Sequence, residues 1–270
     1  MRTLVILAAL VATLGAATIA SAQGDESEAA KLAKAAQNPL ATLVTLPLQA
    51  NINNGIGEDD RRLFNLNIQP VIPFKGENWN LITRSIIPIN GVPSGTDESE
   101  FGFGDVNTTL FLSPAKAQSV TWGLGPVINF PSASNPERLG SGKWELGPAG
   151  VVFIQTGRFT YGALASNVWS VAGDSDREDV NRFLLQWFVN FNFGGGWALG
   201  SVPIVTANWN ADAGEQWTVP WGAQISKVMR IGQQPVNLLA GYYHNATRPT
   251  NGPENQVRVQ LNFMFPIKGD

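Results

Sequence analysis

From Leu40 onward, hydrophobic and polar residues alternate with period two through about a dozen runs. Phe64, Leu66, Ile68, Pro70, Ile72 and Phe74 share one face of one run, while Asn65, Asn67 and Gln69 share the other. A later run sets Phe183, Leu185, Trp187, Val189, Phe191 and Phe193 against Arg182, Gln186, Asn190 and Asn192. The last sets Val257, Val259, Leu261, Phe263 and Phe265 against Gln256, Arg258, Gln260 and Asn262. Successive side chains on a strand point to opposite faces, so each run predicts a β-strand with one apolar and one polar side. The predicted strands are 41–52, 63–74, 79–89, 101–112, 120–130, 144–155, 159–171, 182–193, 197–209, 217–229, 235–245 and 256–267.

The connections alternate as well. Hydrophilic stretches at 53–62, 90–100, 131–143, 172–181, 210–216 and 246–255 take turns with tight ones at 75–78, 113–119, 156–158, 194–196 and 230–234. Long loops on one rim and short turns on the other are what a closed up-and-down transmembrane β-barrel has, with its short turns in the periplasm. An even count of about twelve puts both chain ends at that rim. A soluble β-sandwich would show the same alternation. Three features favour the barrel: runs long enough to cross a tilted bilayer, which takes about 9–11 residues, polar faces rich in amides, and aromatics at strand ends. Phe74, Trp79, Trp122, Tyr161, Phe193 and Trp197 lie beside tight turns; Phe64, Phe101, Phe130, Trp144, Trp169, Trp209 and Trp217 lie beside long loops. Prolines 47, 70, 88, 126, 148, 203 and 220 fall inside runs, where each removes a ladder donor, so bulges or shortened strands are expected there.

Ahead of the barrel region (41–270), two segments stand apart. Residues 1–22 read as a cleaved signal peptide: Arg2, an apolar core from Leu4 to Ala17, and an Ala20-Ser21-Ala22 cleavage site. Residues 23–40 read as a periplasmic N-terminal segment of helical propensity that stops at Asn38-Pro39, because a residue before proline avoids the helical region. It is either a simple tail or a short plug at the periplasmic mouth.

Composition narrows the function classes. The formal charge of −3 becomes −4 once Arg2 is removed, a mild acidity that argues against nucleic acid as a partner, since phosphate binding needs a basic stripe. Only 14% of residues are charged, against roughly 25% in ordinary soluble domains. There are no cysteines, so neither disulfides nor thiolate metal sites arise. No cofactor is expected, and oligomeric state stays open.

Charges on polar strand faces are the candidate functional residues: Arg84, Asp105, Lys143, Glu145, Arg182 and Arg258. Facing lipid at mid-depth, a charge would cost about 2–4 kcal/mol, so these side chains should point into the lumen. There they serve either as salt-bridge packing or as a selectivity constriction. Acidic groups in the long stretches (Glu58, Asp59 and Asp60; Asp97, Glu98 and Glu100; Asp174, Asp176, Glu178 and Asp179) could bridge divalent ions to lipopolysaccharide phosphates, or be simple solvated charge. His244, the sole histidine, has Tyr242 and Ala240 as face-mates and no serine two residues away, which leaves a hydrolytic pair without its nucleophile. Gly140-Ser141-Gly142-Lys143 is followed by Trp144 rather than Ser or Thr, so it is a flexible loop rather than a phosphate loop.

Several strings resemble a known family: Asn38-Pro39-Leu40-Ala41, Ile68-Gln69-Pro70-Val71-Ile72-Pro73, Trp79-Asn80-Leu81-Ile82-Thr83-Arg84, Gly102-Phe103-Gly104-Asp105, Gly125-Pro126, Gly147-Pro148, Trp217-Thr218-Val219-Pro220 and Pro235-Val236-Asn237-Leu238. They are similar to uncharacterised bacterial outer-membrane proteins grouped with phenol-degradation (MetA-pathway) proteins. That family is commonly labelled "transporter", and some members are mislabelled neuromedin U. The resemblance covers nearly the whole mature chain. It implies a barrel and hints at aromatic or hydrophobic cargo, with no catalytic residue to carry over. The expectation is a passive outer-membrane channel for small solutes, not an enzyme, touching membrane lipids and lipopolysaccharide. Its alternatives are a non-conducting structural or adhesive barrel, an outer-membrane lipid hydrolase, or a soluble sandwich.

Overall fold

The computed structural model describes residues 23–40, 43–94, 98–116 and 120–265; the predicted signal peptide at 1–22 lies outside the described residues. Helix α1 (Gln23–Gln37) precedes a single antiparallel sheet, interrupted once by a four-residue helix α2 (Pro136–Leu139). The strands are β1 (Val44–Ile56), β2 (Arg61–Ile68), β3 (Val71–Phe74), β4 (Trp79–Ser94), β5 (Glu98–Phe103), β6 (Val106–Pro114), β7 (Val120–Phe130), β8 (Lys143–Thr156), β9 (Phe159–Gly173), β10 (Asn181–Gly194), β11 (Trp197–Ser201), β12 (Ile204–Asn208), β13 (Trp217–Ile231), β14 (Gln234–Thr247) and β15 (Asn255–Phe265). β15 pairs back onto β1, from Val44 opposite Phe265 to Asn54 opposite Asn255, so the sheet closes on itself. Closure removes the unpaired edge that a membrane interior could not hydrate.

Among the described residues, fifteen strands make twelve staves, because β2/β3, β5/β6 and β11/β12 are each one stave broken in two. The breaks fall at Gln69-Pro70, Gly104-Asp105 and Val202-Pro203, and proline's missing N–H explains two of them. Pro220 sits at a register shift between Val219 and Pro220. Pro126 and Pro148 instead remain inside β7 and β8, directly opposite one another. On their far sides the ladders lapse: β6–β7 pairing skips from Thr109–Val127 to Leu112–Leu124, and β8–β9 pairing skips from Leu146–Trp169 to Ala149–Ser166. A Cβ on Gly125 would lie 1.7 Å from the Leu110 carbonyl, and one on Gly147 1.7 Å from that of Asn167, so only glycine fits before each proline.

Two of the six expected long loops are much shorter than read. β1 and β2 continue past the rim as a hairpin, with Ile56 opposite Arg61, and β4 and β5 stay paired from Ile89–Phe103 to Ser94–Glu98. Backbone pairing costs these polar residues nothing outside the bilayer, so hydrophilicity alone misplaced the strand ends. The turn Gly194-Gly195-Gly196 has φ of 102°, 56° and 76°, a left-handed region cheap for glycine.

Outward positions are greasy. Phe101 and Trp221 are 65% and 63% exposed, and Phe74, Trp79, Phe103, Trp144, Trp169, Trp209 and Tyr242 join them on the surface. Aromatics cluster at both rims: Trp79 on Trp122 (5.9 Å) at the short-turn end, and Trp209 on Trp217 (5.3 Å) and Phe130 on Trp144 (5.2 Å) at the other. Such rings sit at headgroup level, one end apolar and the other wet. Lys227 lies over the Trp197 ring at 4.7 Å, close to the short-turn rim, where a lysine can extend its ammonium towards water.

The lumen is not uniformly polar. On one side Ile82, Phe111, Val127, Ala149, Val151, Leu164 and Val168 pack together, joined by Leu40 from the segment after α1, although Thr109, Thr160, Asn190 and Glu145 are buried on that half as well. The polar side carries Gln49, Asn51, Asn65, Asn67, Asn90 and Arg258, linked by amide hydrogen bonds such as Asn51 Nδ2 to Asn65 Oδ1 at 2.9 Å and Asn65 Nδ2 to Asn90 Oδ1 at 2.8 Å.

Candidate functional site: the barrel lumen

α1 runs inside the short-turn mouth. Its alanines let it pack closely: Ala33 and Leu32 meet Val228 and Met264, and Leu43 completes the cluster. Its last residue, Gln37, donates to Asn192 Oδ1 at 2.9 Å and accepts from the Thr160 hydroxyl, which is fully buried. Asn38 Oδ1 then accepts from Leu40 N at 2.9 Å, turning the chain across the lumen at Pro39. The end of the helix thus forms the ceiling or floor of whatever space the wall encloses.

That space is a cavity of about 220 Å3, lined by Ala36 and Gln37 at the end of α1, by Asn38 and Pro39 beyond it, and by inward side chains of both sheet halves. Among its described lining residues are Arg84 and Arg258, and no aspartate or glutamate. Arg84 donates to Gln69 Oε1 at 3.2 Å, its one hydrogen bond among the described residues. Arg258 is buried and donates from Nε to Asn51 (3.2 Å), from Nη1 to the Val202 carbonyl (3.0 Å) and from Nη2 to Gln256 (2.9 Å). Its guanidinium also stacks 4.8 Å from the Tyr243 ring, and Tyr243 in turn donates to Gln224 Oε1 at 2.9 Å. The break at Val202-Pro203 frees the Val202 carbonyl for that contact. Neither arginine meets a carboxylate among the described residues.

Lys143, Glu145 and Arg182 lie elsewhere, near the long-loop rim, in two separate ion pairs. Arg182 Nη2 pairs with Glu145 Oε1 at 2.5 Å, and Lys143 Nζ with Asp179 Oδ1 at 3.4 Å. Glu145 also accepts from Asn129, which accepts from Asn107. Asp105 does something different. Sitting in the β5/β6 break, its Oδ1 accepts from Ser132 N and Ala133 N (both 3.0 Å), and its Oδ2 from Ser141 N (2.7 Å) and Ser141 Oγ (3.1 Å). All four donors belong to the 131–142 loop, so this carboxylate anchors a loop.

The acidic stretches do not converge. No group of three or more His, Asp or Glu residues is spaced to hold a metal ion among the described residues. Glu100 pairs with Arg138 at 2.7 Å, and Asp179 accepts from Ser170 and Lys143, whose hydrogen bonds and positive charge hold its carboxyl below the usual aspartate range. Glu215 accepts from the Thr250 hydroxyl and N–H, which lower its carboxyl likewise and tie two long-rim loops together. Asp97 lies outside the described residues. His244 faces outward, its ring 6.4 Å from that of Trp221, and the residues opposite it on the flanking strands are Trp221 and Asn255.

Sequence reading did not single out Gln37, Thr160, Tyr243 or Asn237 as lumen residues. A polar side chain at the inward parity of an otherwise apolar run, as at Asn237 between Pro235 and Leu239, was the available signal.

No protein-family model matches the chain, and no curated protein matches it. Solved structures do. An outer membrane channel from Pseudomonas putida F1 superposes with a TM-score of 0.63 at 13% identity, covering 83% of this chain and 94% of that one. The NanC porin gives 0.51 at 12% identity, covering 82% and 100%. Outer membrane phospholipase A from Escherichia coli gives 0.45 at 15% identity, covering 84% and 100%. At such identities the likeness is one of fold: this chain is a closed, twelve-stave antiparallel barrel of the kind that outer-membrane channels build.

Proposed function

We propose that this protein is a passive outer-membrane channel for small solutes, exported by its N-terminal signal and selective for anions. The observation that carries the reading is the pair Arg84 and Arg258 in a lumen cavity whose lining, among the described residues, has no carboxylate. In a narrow, partly apolar passage such fixed charges favour anions and repel cations. Lys143 and Arg182 add little to this, because Asp179 and Glu145 offset them. The apolar inner wall beside the guanidiniums suits solutes that join an apolar body to a negative charge, in keeping with the aromatic cargo that the family resemblance implies. α1 narrows the periplasmic mouth and acts as a plug.

Planar-bilayer recording across a KCl gradient tests this. The expected result is a small conductance whose reversal potential has the anion-selective sign, rising several-fold when residues 23–39 are deleted. Absence of conductance in both forms would leave the non-conducting, adhesive barrel.

A further inference from the structure

Among the described residues, two buried amide oxygens inside the barrel accept no hydrogen bond. Asn237 and Asn262 are 5% and 3% exposed, and the Oδ1 of each lacks a hydrogen-bond partner among the described residues. They face each other across the β14–β15 ladder and both line the cavity beneath α1. Directly opposite residues have Cβ atoms about 4.5–5.5 Å apart, so the two amides present one acceptor site. The strands on either side cannot satisfy them, since Val228 lies opposite Asn237 and Pro47 opposite Asn262, and neither side chain is a donor. A buried orphan acceptor is costly unless something fills its need.

Arg84 lies on the same row of the wall. It pairs with Val71, Val71 with Thr45, and Thr45 with Met264, two residues from Asn262. Leu164, Phe188 and Leu239 add apolar surface to the same cavity. Its volume of about 220 Å3 is ample, one water needing about 10–15 Å3 on such a measure.

We propose that this cavity holds a small carboxylate bearing a hydrogen-bond donor at its far end, with Arg84 taking the carboxylate and the oxygens of Asn237 and Asn262 accepting from the donor. A guanidinium presents paired N–H groups to a carboxylate, the apolar wall covers the body of the molecule, and the amide pair rewards a hydroxyl or ammonium over a bare methyl end. The inference deepens the channel reading and relies on it only for how the solute arrives.

Calorimetric titration of the full-length, detergent-solubilised protein tests the site with two matched pairs: benzoate against 4-hydroxybenzoate, and hexanoate against 6-hydroxyhexanoate. The hydroxylated acid is expected to bind about tenfold more tightly than its parent in at least one pair. An advantage in the aromatic pair alone supports the site and assigns it a rigid spacer. The Asn237→Leu/Asn262→Leu variant should erase the advantage while the parent acid keeps its Kd within about twofold, and Arg84→Gln should weaken all four ligands. Folding of each variant is checked by its heat-dependent gel mobility, and the wild-type comparison needs no variant at all. Equal Kd values within both pairs would mean that the orphaned oxygens hold water only, and would overturn the proposal, as would an advantage that survives in the double variant. Binding is read without ion flow, so a protein that binds yet carries no current loses the channel reading alone, and one that conducts without the hydroxyl advantage loses only the site.

Discussion

Arg182 and Glu145 form an ion pair of 2.5 Å that reaches across β9, joining β10 to β8 at the long-loop end of the lumen. The two side chains differ sharply in environment: that of Glu145 is 0% exposed and that of Arg182 50%. Removing the arginine leaves a buried carboxylate with the Asn129 amide as its remaining donor. Arg182→Ala should therefore destabilise the barrel by about 1–3 kcal/mol. Neutralising Glu145 in the same chain should recover more than half of that loss. Urea unfolding of lipid-refolded protein measures both, and strictly additive losses would show that the pair is not coupled.

Asp105 invites a sharper contrast. Its two oxygens take four donors from the 131–142 loop, so Asp105→Ala should free that loop while the staves stay closed. Amide hydrogen exchange at residues 132, 133 and 141 should accelerate at least tenfold, a loss of about 1.4 kcal/mol in local protection. Unchanged exchange would mean that the loop is held by other contacts.

At the opposite mouth, the Gln37 amide is the polar latch of α1. Gln37→Leu removes its bonds to Asn192 and Thr160, taking the donor from Asn192 Oδ1 and the acceptor from the Thr160 hydroxyl, while the Ala33 contact with Val228 and Met264 persists. Single-channel records should show more frequent transitions to a larger conductance, short of the level reached when residues 23–39 are absent. A silent trace identical to wild type would place the restriction elsewhere.

Acid should loosen the long-loop rim in a defined direction. The Asp179 carboxyl is depressed first by the Ser170 hydrogen bond, then by Lys143, and that of Glu215 by Thr250. A group depressed in the folded state stabilises it above the unfolded pKa, about 4 for such carboxyls, and that contribution is lost as pH falls through the lower folded value. Loop order should hold at pH 5 and fade only in strong acid, below the ordinary carboxylate range. Lys143→Met should move the fading of the Asp179 loop to higher pH, which NMR titration of the Asp179 carboxyl reads directly.

His244 stands in the outer aromatic belt opposite Trp221 and Asn255. Purified protein should hydrolyse no ester substrate above the background of His244→Ala, measured with a chromogenic ester in detergent. A difference between the two would revive the lipid-hydrolase alternative.

Much of the architecture is written in the alternation itself. Phe183, Leu185, Trp187 and Val189 occupy every second place on a stave, and one face of such a stave must leave water, so the lipid side was legible. The parity of Arg84, Lys143, Glu145, Arg182 and Arg258 was legible for the same reason. Stave ends were less so, because Asn53 and Asn54 are polar enough for a loop yet pair with Gln256 and Asn255 beyond the bilayer. Asp105 read as a lumen charge because period two says nothing of a break at Gly104-Asp105.

What the chain alone determines, then, is that there are about a dozen staves and which side of each faces acyl chains, since both follow from local periodicity; the exact count of twelve comes from the closed pairing. What meets what inside the closed ring follows only from curvature and closure. Those bring Phe111, Val151 and Val168 against Leu40, set the Asn237–Asn262 pair beside Val228 and Pro47, and seat α1 within the mouth. Inward neighbours are tens to hundreds of residues apart in sequence, and no local pattern records which opposing walls a closing sheet will bring together.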